Sequence, residues 1–402
     1  MKTFKKIAAV IMAVALMTTC FAGCGSSDGQ NDSSANKAGQ TGQNSEYTAK
    51  NTEYVIGVSG PLTGGAAVYG EAVRNSAQMA VDEINAKGGL NGVKFKFIAK
   101  DDTHDASKVA ANYTSMLEDG MQASLGTVTS APGLEFSKYS AADNVFFLTP
   151  SASADDIPEY SNGFQMCFAD GNQGQVAAKY VNSLNLTEIG VFYKADDPYS
   201  NGIYKQFKEK LNSSVKVVET VFTGDAADFT TQISTLKDCK FIFMPIYYQP
   251  ASVFLNQAKN IIASDAVFYG CDGFDGLAGQ IDLSTIPQEV SMLSHFDSNA
   301  TTGAAADFIK KYTAKFGSET LNQFGASAYD CIYVIYGAMK SAVEKGKEIP
   351  VTISASDLCE ILKAELTGGF TYSGNTGNNI KWDSNGYVVK DAVKYVLKEA
   401  SK

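Results

Sequence analysis

Six short segments of this 402-residue chain hold the side chains whose types and spacing offer chemistry. Three of them are dominated by hydroxyls and by small residues that leave backbone amides open. They are residues 60–70 (Gly-Pro-Leu-Thr-Gly-Gly-Ala-Ala-Val-Tyr-Gly), 126–132 (Gly-Thr-Val-Thr-Ser-Ala-Pro) and 149–153 (Thr-Pro-Ser-Ala-Ser). The other three contribute tyrosines and carboxylates: Asp196-Asp197-Pro198-Tyr199, Pro245-Ile246-Tyr247-Tyr248 and Cys271-Asp272-Gly273. Hydroxyls and helix N-termini take a carboxylate, a carboxylate takes an ammonium, and aromatic rings flank an apolar body. The set suits a small zwitterion.

Catalysis is not encoded in any arrangement that chemistry would recognise. The chain has no Gly-x-Ser-x-Gly elbow, no Gly-x4-Gly-Lys-Ser/Thr loop, no Gly-x-Gly-x-x-Gly fingerprint and no His-Glu-x-x-His. Its two histidines, His104 and His295, are too few for a histidine-built metal site or a Ser/His relay. The acidic pairs Asp101-Asp102, Asp155-Asp156 and Asp196-Asp197 read as loop and helix-start caps rather than acid/base or metal groups. No enzyme, metal or cofactor is expected. With 33 Lys+Arg against 43 Asp+Glu, and Arg74 as the only arginine, a nucleic-acid partner is excluded too, since phosphate binding needs a basic face.

The loops sit where strands end. Strands are expected at residues 54–59, 93–99, 123–125, 145–148, 189–193, 215–222, 241–244 and 267–270. Helices are expected at 68–86, 106–117, 133–142, 175–183, 201–211, 229–236 and 252–262. Such alternation implies parallel sheets with helices on both faces, and ligands of open parallel sheets bind beyond the carboxyl ends of the strands. The alternation runs twice, and 402 residues exceed the size at which a single core stops growing. The fold class is therefore α/β, with two doubly wound parallel-sheet lobes.

The first residues read as an export signal. Lys2, Lys5 and Lys6 precede the uncharged apolar run Ile7–Met17, which is too short to span a bilayer of about 30 Å. Phe21-Ala22-Gly23-Cys24 then resembles a bacterial lipobox, with Cys24 the lipidated residue and Phe21 where leucine is usual. The plain alternative is a cleaved signal with an incidental cysteine. Cleavage before Cys24 leaves 30 basic residues against 43 acidic, a net charge of −13. Residues 25 to about 52 are polar and small, a tether that buries too little to fold. The remaining cysteines, Cys167, Cys239, Cys271, Cys331 and Cys359, are scattered and odd in number, and are expected as buried free thiols.

From Tyr54 to about Val396 the chain resembles the periplasmic-type solute-binding proteins of branched-chain amino acid ABC transporters. Gly60-Pro61-Leu62-Thr63-Gly64 with Tyr69-Gly70 is similar to that family's opening loop. Ala80–Gly89 is similar to its first-helix ending, and Asp101-Asp102 follows the second strand. Gln173-Gly174, then Trp382-Asp383 with Gly386, continue the series in order. The resemblance implies that the Ser130 hydroxyl holds a ligand α-carboxylate and that the Ser151 carbonyl accepts from its α-ammonium. It implies that Ser153 contacts both groups and that Asp272, where glutamate is frequent, pairs with the ammonium from the opposite lobe. Tyr69, Tyr199 and Tyr247 match aromatic positions around the ligand. Read without the family, Ser130 and Ser153 are equally helix N-caps, the tyrosines half-buried residues, and Asp272 a turn residue.

Two departures stand out. His104 and Thr129 occupy positions that some relatives join by a disulfide, and Phe164-Gln165 replaces a frequent Phe-Arg. The resemblance further implies a three-crossover hinge, with the chain passing between lobes near Ala169-Asp170, Phe296-Asp297 and Val393. The expected layout is a lipoprotein signal at 1–23 and a tether at 24–52. Lobe 1 is expected at 53–169 and 297–392, and lobe 2 at 170–296 and 393–402. The expected product is a lipid-anchored extracytoplasmic monomer that closes on an amino acid and docks on a membrane permease driven by a separate ATPase. A ligand-sensing receptor paired with another signalling protein, or a binder of a non-amino carboxylate or amide, are the other readings of such a cleft.

Overall fold

The computed structural model describes residues 46–390 and 392–401. The signal peptide and residues 24–45 of the expected tether, Cys24 included, lie outside the described residues; the end of that segment is not a free tether, since Thr48 is buried and Asn51 Nδ2 donates to the Gly120 carbonyl at 2.9 Å. The first sheet takes its strands from β1 (Tyr54–Gly60), β2 (Phe95–Asp101), β3 (Ala123–Ser124), β4 (Phe147–Thr149) and β5 (Gly163–Gln165). Their order is β2-β1-β3-β4-β5, and every pair is parallel. Between them run α1 (Ala67–Ala86), α2 (Val109–Glu118) and α3 (Ser130–Asp143).

The second sheet is built from β6 (Glu188–Lys194), β7 (Lys216–Phe222), β8 (Phe241–Met244), β9 (Val267–Gly270), β10 (Glu289–Ser294) and β13 (Val393–Lys398). The order β13-β10-β9-β8-β6-β7 is parallel except where β13 runs antiparallel to β10. Its helices are α4 (Asp170–Ser183), α5 (Pro198–Lys210), α6 (Thr230–Leu236) and α7 (Tyr248–Ala258). After β10 come α8 (Gly303–Phe316), α9 (Gln323–Glu344) and α10 (Ala355–Thr367), then the hairpin of β11 (Tyr372–Gly374) and β12 (Gly377–Ile380). α9 lies along α1, where a Cβ on Gly325 would meet Ser76 Oγ at 2.9 Å and the Ala72 carbonyl at 3.2 Å.

Both sheets are wrapped on two faces, which is why their central strands read as unbroken apolar runs. All seven residues of β1 and all four of β8 are buried. Each Val, Ile or Phe so buried contributes roughly 1.5–3 kcal/mol against exposure.

Four helices start three or more residues earlier than the sequence suggests. α3 begins at Ser130 rather than Gly133, α4 at Asp170 rather than Gln175, α5 at Pro198 rather than Asn201, and α7 at Tyr248 rather than Ser252. In α3, α5 and α7 a proline (Pro132, Pro198, Pro250) lies in the first turn, where its missing N–H removes no intrahelical bond. The shift puts Ser130 on the first turn of α3. The five cysteines named above are all buried and free. Among the described residues no helix is long and apolar enough to cross a membrane.

Candidate ligand-binding cleft

The three hydroxyl-rich loops follow β1, β3 and β4, and the tyrosine and carboxylate loops follow β6, β8 and β9. The carboxyl ends of both sheets thus face one cleft, and the two sides meet. From the first sheet, the Tyr69 hydroxyl donates to the Gly273 carbonyl at 2.5 Å and accepts from the Tyr248 amide at 3.3 Å. Tyr69 can approach because its neighbour is glycine: a Cβ on Gly70 would lie 2.1 Å from the Pro61 carbonyl oxygen.

Ser130, Ser151 and Ser153 come together on the first-lobe side, all buried. The N-cap of α3 is Thr129, so Ser130 is not a cap. Its hydroxyl accepts instead from the Ser153 and Ala154 amides at 3.3 and 3.2 Å, which leaves its own proton to donate. The Thr149 hydroxyl braces the same loop by accepting from the Ser151 and Ala152 amides.

On the second-lobe side, Asp272 opens a short turn, and its carboxylate accepts from the Tyr199 hydroxyl at 2.7 Å. Tyr199 stacks on Tyr247 with ring centroids 4.5 Å apart, and Tyr247 lies 5.9 Å from Tyr69. Tyr69 and Tyr199 are fully buried, and Tyr247 is half-buried with a buried hydroxyl that has no hydrogen-bond partner. Burial raises the Asp272 carboxyl to about 7, with the Tyr199 hydroxyl pulling the other way.

One further residue beside the site, Asp170, escapes a reading of the sequence alone, and the structure adds contacts for Gln165, His104 and Thr129. Asp170, the first residue of α4, is completely buried, and neither of its carboxylate oxygens has a hydrogen-bond partner. Burial first, and the charge of Asp272 second, hold its pKa well above the usual carboxylate range; the nearby Ser153 hydroxyl only partly offsets this. Neither Asp170 nor Asp272 belongs to an ion pair among the described residues. Gln165, where the resemblance leads one to expect arginine, donates to the Ala152 and Ala154 carbonyls at 3.2 and 3.1 Å, gripping the serine loop without a charge. His104 and Thr129, which replace a disulfide of some relatives, are joined by a hydrogen bond of 2.9 Å between Nδ1 and Oγ1. The His104 ring also meets Tyr247 edge-on at 5.3 Å.

The acidic pairs behave as caps. Asp101 accepts from the Leu62, Thr63 and Thr103 amides, Asp102 from His104, Asp155 from Gly171, and Asp197 from Ser200 at the start of α5. Among the described residues no group of three His, Cys, Asp or Glu is placed to hold a metal ion.

The sequence pattern of the family described as periplasmic binding protein matches residues 53–383. The Leu/Ile/Val-binding protein BraC3 of Rhizobium johnstonii is 29% identical over 328 residues, covering 75% of this chain and 86% of that protein. The leucine-, isoleucine-, valine-, threonine- and alanine-binding protein of Pseudomonas aeruginosa is 28% identical over 345 residues, covering 82% and 86%. Among solved structures, the branched-chain amino acid transporter substrate binding protein LivJ from Streptococcus pneumoniae, in complex with isoleucine, matches with a TM-score of 0.75. Its identity is 25%, and the match covers 86% of this chain and 98% of that one. An ABC transporter solute-binding protein from R. palustris, in complex with benzoate, has a TM-score of 0.74 at 17% identity, covers 87% and 94%, and is alike in fold alone. With its two mostly parallel sheets and the match across nearly all of both, the chain belongs to the periplasmic binding protein family and has the type I fold of that family.

Proposed function

We propose that this protein is the extracytoplasmic solute-binding component of an ABC importer, capturing an amino acid with a branched-chain or other small apolar side chain between its lobes. The observation that carries the reading is the pair Asp170 and Asp272, two buried carboxylates between the lobes that form no ion pair among the described residues. Buried charge without a partner is costly, and a ligand ammonium supplies the partner. Ser130, with its free proton, and Ser153 take the α-carboxylate, the Ser151 carbonyl joins Asp170 and Asp272 on the ammonium, and Tyr69, Tyr199 and Tyr247 enclose the apolar side chain. The lobes divide at the boundaries given above. The loaded monomer, anchored through Cys24, delivers its ligand to a membrane permease whose ATPase is a separate chain, and it transforms nothing. The named ligands of the two amino acid-binding relatives and of the LivJ complex support this class.

Titration calorimetry with isoleucine, leucine and their deaminated acids tests the proposal. The amino acids are expected to bind tightly and the deaminated acids poorly. Asp272→Ala is expected to lose about 2–5 kcal/mol for isoleucine while narrowing the gap to the deaminated acid. A deaminated acid that binds the unaltered protein as tightly as isoleucine does would move the ligand class to simple carboxylates.

A further inference from the structure

The turn that carries Asp272 is held by the first lobe at a second point. The helix α9, which packs on α1, has four N-terminal amides to satisfy from outside its own turn. Asn322, its N-cap, accepts from the Phe324 and Gly325 amides at 3.0 and 2.9 Å, and the Asn322 carbonyl accepts from Ala326. The Gln323 amide remains. It donates to Asp275 Oδ2 at 2.8 Å, and Asp275 stands three residues after Asp272 on the second-lobe side. The capping of a first-lobe helix is therefore completed by a carboxylate of the other lobe. The Tyr69 hydroxyl grips the Gly273 carbonyl between the two aspartates.

The geometry points to Asp275 as a positioning residue that latches the closed cleft and holds the Asp272 turn in register for its ligand. Asp275 acts through α9 and needs no contact with the ligand. Opening the lobes exposes the Gln323 amide and frees the Asp272 turn together, so ligand grip and closure share one bond. A hydrogen bond between an ionised acceptor and a helix N-terminus is among the stronger single contacts available to such a latch. The assignment rests on the amino acid reading for its link to affinity, though not for the bond itself.

The experiment measures release of radiolabelled isoleucine and, separately, amide exchange at Gln323 in the ligand-free protein. Asp275→Ala is expected to speed release about 10- to 100-fold, with association little changed. Asp275→Asn, which keeps an acceptor oxygen, recovers most of the difference. Gln323→Pro removes the donor at the first helical position, where proline is tolerated. Measured against Gln323→Ala, which keeps the amide but equally loses the side-chain contact to the His295 amide, it is expected to match the effect of Asp275→Ala, and combining the two adds nothing further. In the ligand-free protein Asp275→Ala accelerates exchange at Gln323 but not at Phe324 or Gly325, which retain Asn322. Failure of the unaltered protein to bind isoleucine overturns the ligand reading alone, since the exchange measurement still reports the bond. Unchanged exchange at Gln323, or additive effects of Asp275→Ala and Gln323→Pro, overturns the latch.

Discussion

The Tyr199 hydroxyl donates to Asp272 Oδ1 at 2.7 Å and at the same time accepts the Gly273 amide at 2.8 Å. One phenol thus fixes both the carboxylate and the backbone of the turn that bears it. The contact requires glycine at position 273, where a Cβ would lie 2.7 Å from the Tyr199 hydroxyl and from the Ile246 carbonyl oxygen. Gln173 Oε1 accepts the Asp272 amide from α4 at 3.1 Å, completing the frame.

Tyr199→Phe removes the donor to Asp272 and leaves the Gly273 amide without its acceptor. A hydrogen bond to a charged group is worth about 1.5–3 kcal/mol, so isoleucine binding is expected to weaken by about tenfold or more. Calorimetry checks this. The ring and its stacking on Tyr247 remain, so an effect below twofold would mean that the phenol is mere packing.

The pH dependence follows from Asp272, whose pKa rises from 3.8 to about 7. In the ligand-free protein the folded state keeps a proton that the unfolded chain has already lost. Stability from this group therefore falls as pH rises from about 4 to about 7 and is level above that. Pairing with an ammonium needs the ionised form, so affinity runs the other way. It is expected to rise by up to about tenfold per unit until about pH 7 and then to flatten. The thermal shift given by isoleucine is consequently larger at pH 8 than at pH 5.5. A shift that is the same at both would place the ammonium elsewhere.

Asp170→Asn separates stability from function. Replacing an unpaired buried carboxylate by a neutral amide removes a desolvation cost, so the ligand-free protein is expected to melt at a higher temperature at pH 8. The same change takes away one of the two carboxylates proposed for the ammonium, and isoleucine affinity is expected to drop about tenfold or more. A variant that gains no stability, or that keeps full affinity, would remove Asp170 from the site.

The two-sheet architecture is legible because β1, β8 and β9 are short apolar runs ended by turn residues, and the bounds of β8 and β9 agree with the sequence to the residue. Tyr69, Ser130, Tyr199 and Asp272 are legible as candidates for a related reason: each lies in the loop or first helical turn after a readable strand, between two and nine residues beyond its end. Asp170 is not. It opens the polar run Asp170-Gly171-Asn172-Gln173-Gly174, which reads as a loop, whereas in the structure it starts α4 and is completely buried, with Gly202 of α5 close against it. The starts of α3 and α7 are displaced because a proline signals a helix start without saying how much of the first turn precedes it. The strands β5, β10 and β13 are short or carry Ser, Glu and Lys, so pairing rather than local pattern defines them.

The anchor is testable apart from the cleft. The apolar run Ile7–Met17 is too short to hold the protein across a bilayer, so the proposed attachment rests on acyl chains at Cys24. Two chains anchor firmly where one holds only marginally, and a diacylglyceryl cysteine with an amide-linked third chain exceeds that threshold. Cys24→Ala is expected to abolish metabolic labelling with palmitate and to move the protein from the membrane fraction to the soluble extracytoplasmic one. Isoleucine binding stays unchanged, because the ligand groups begin at Tyr69. If unaltered and variant proteins partition alike and neither takes up label, Cys24 is an incidental cysteine behind a plain cleaved signal.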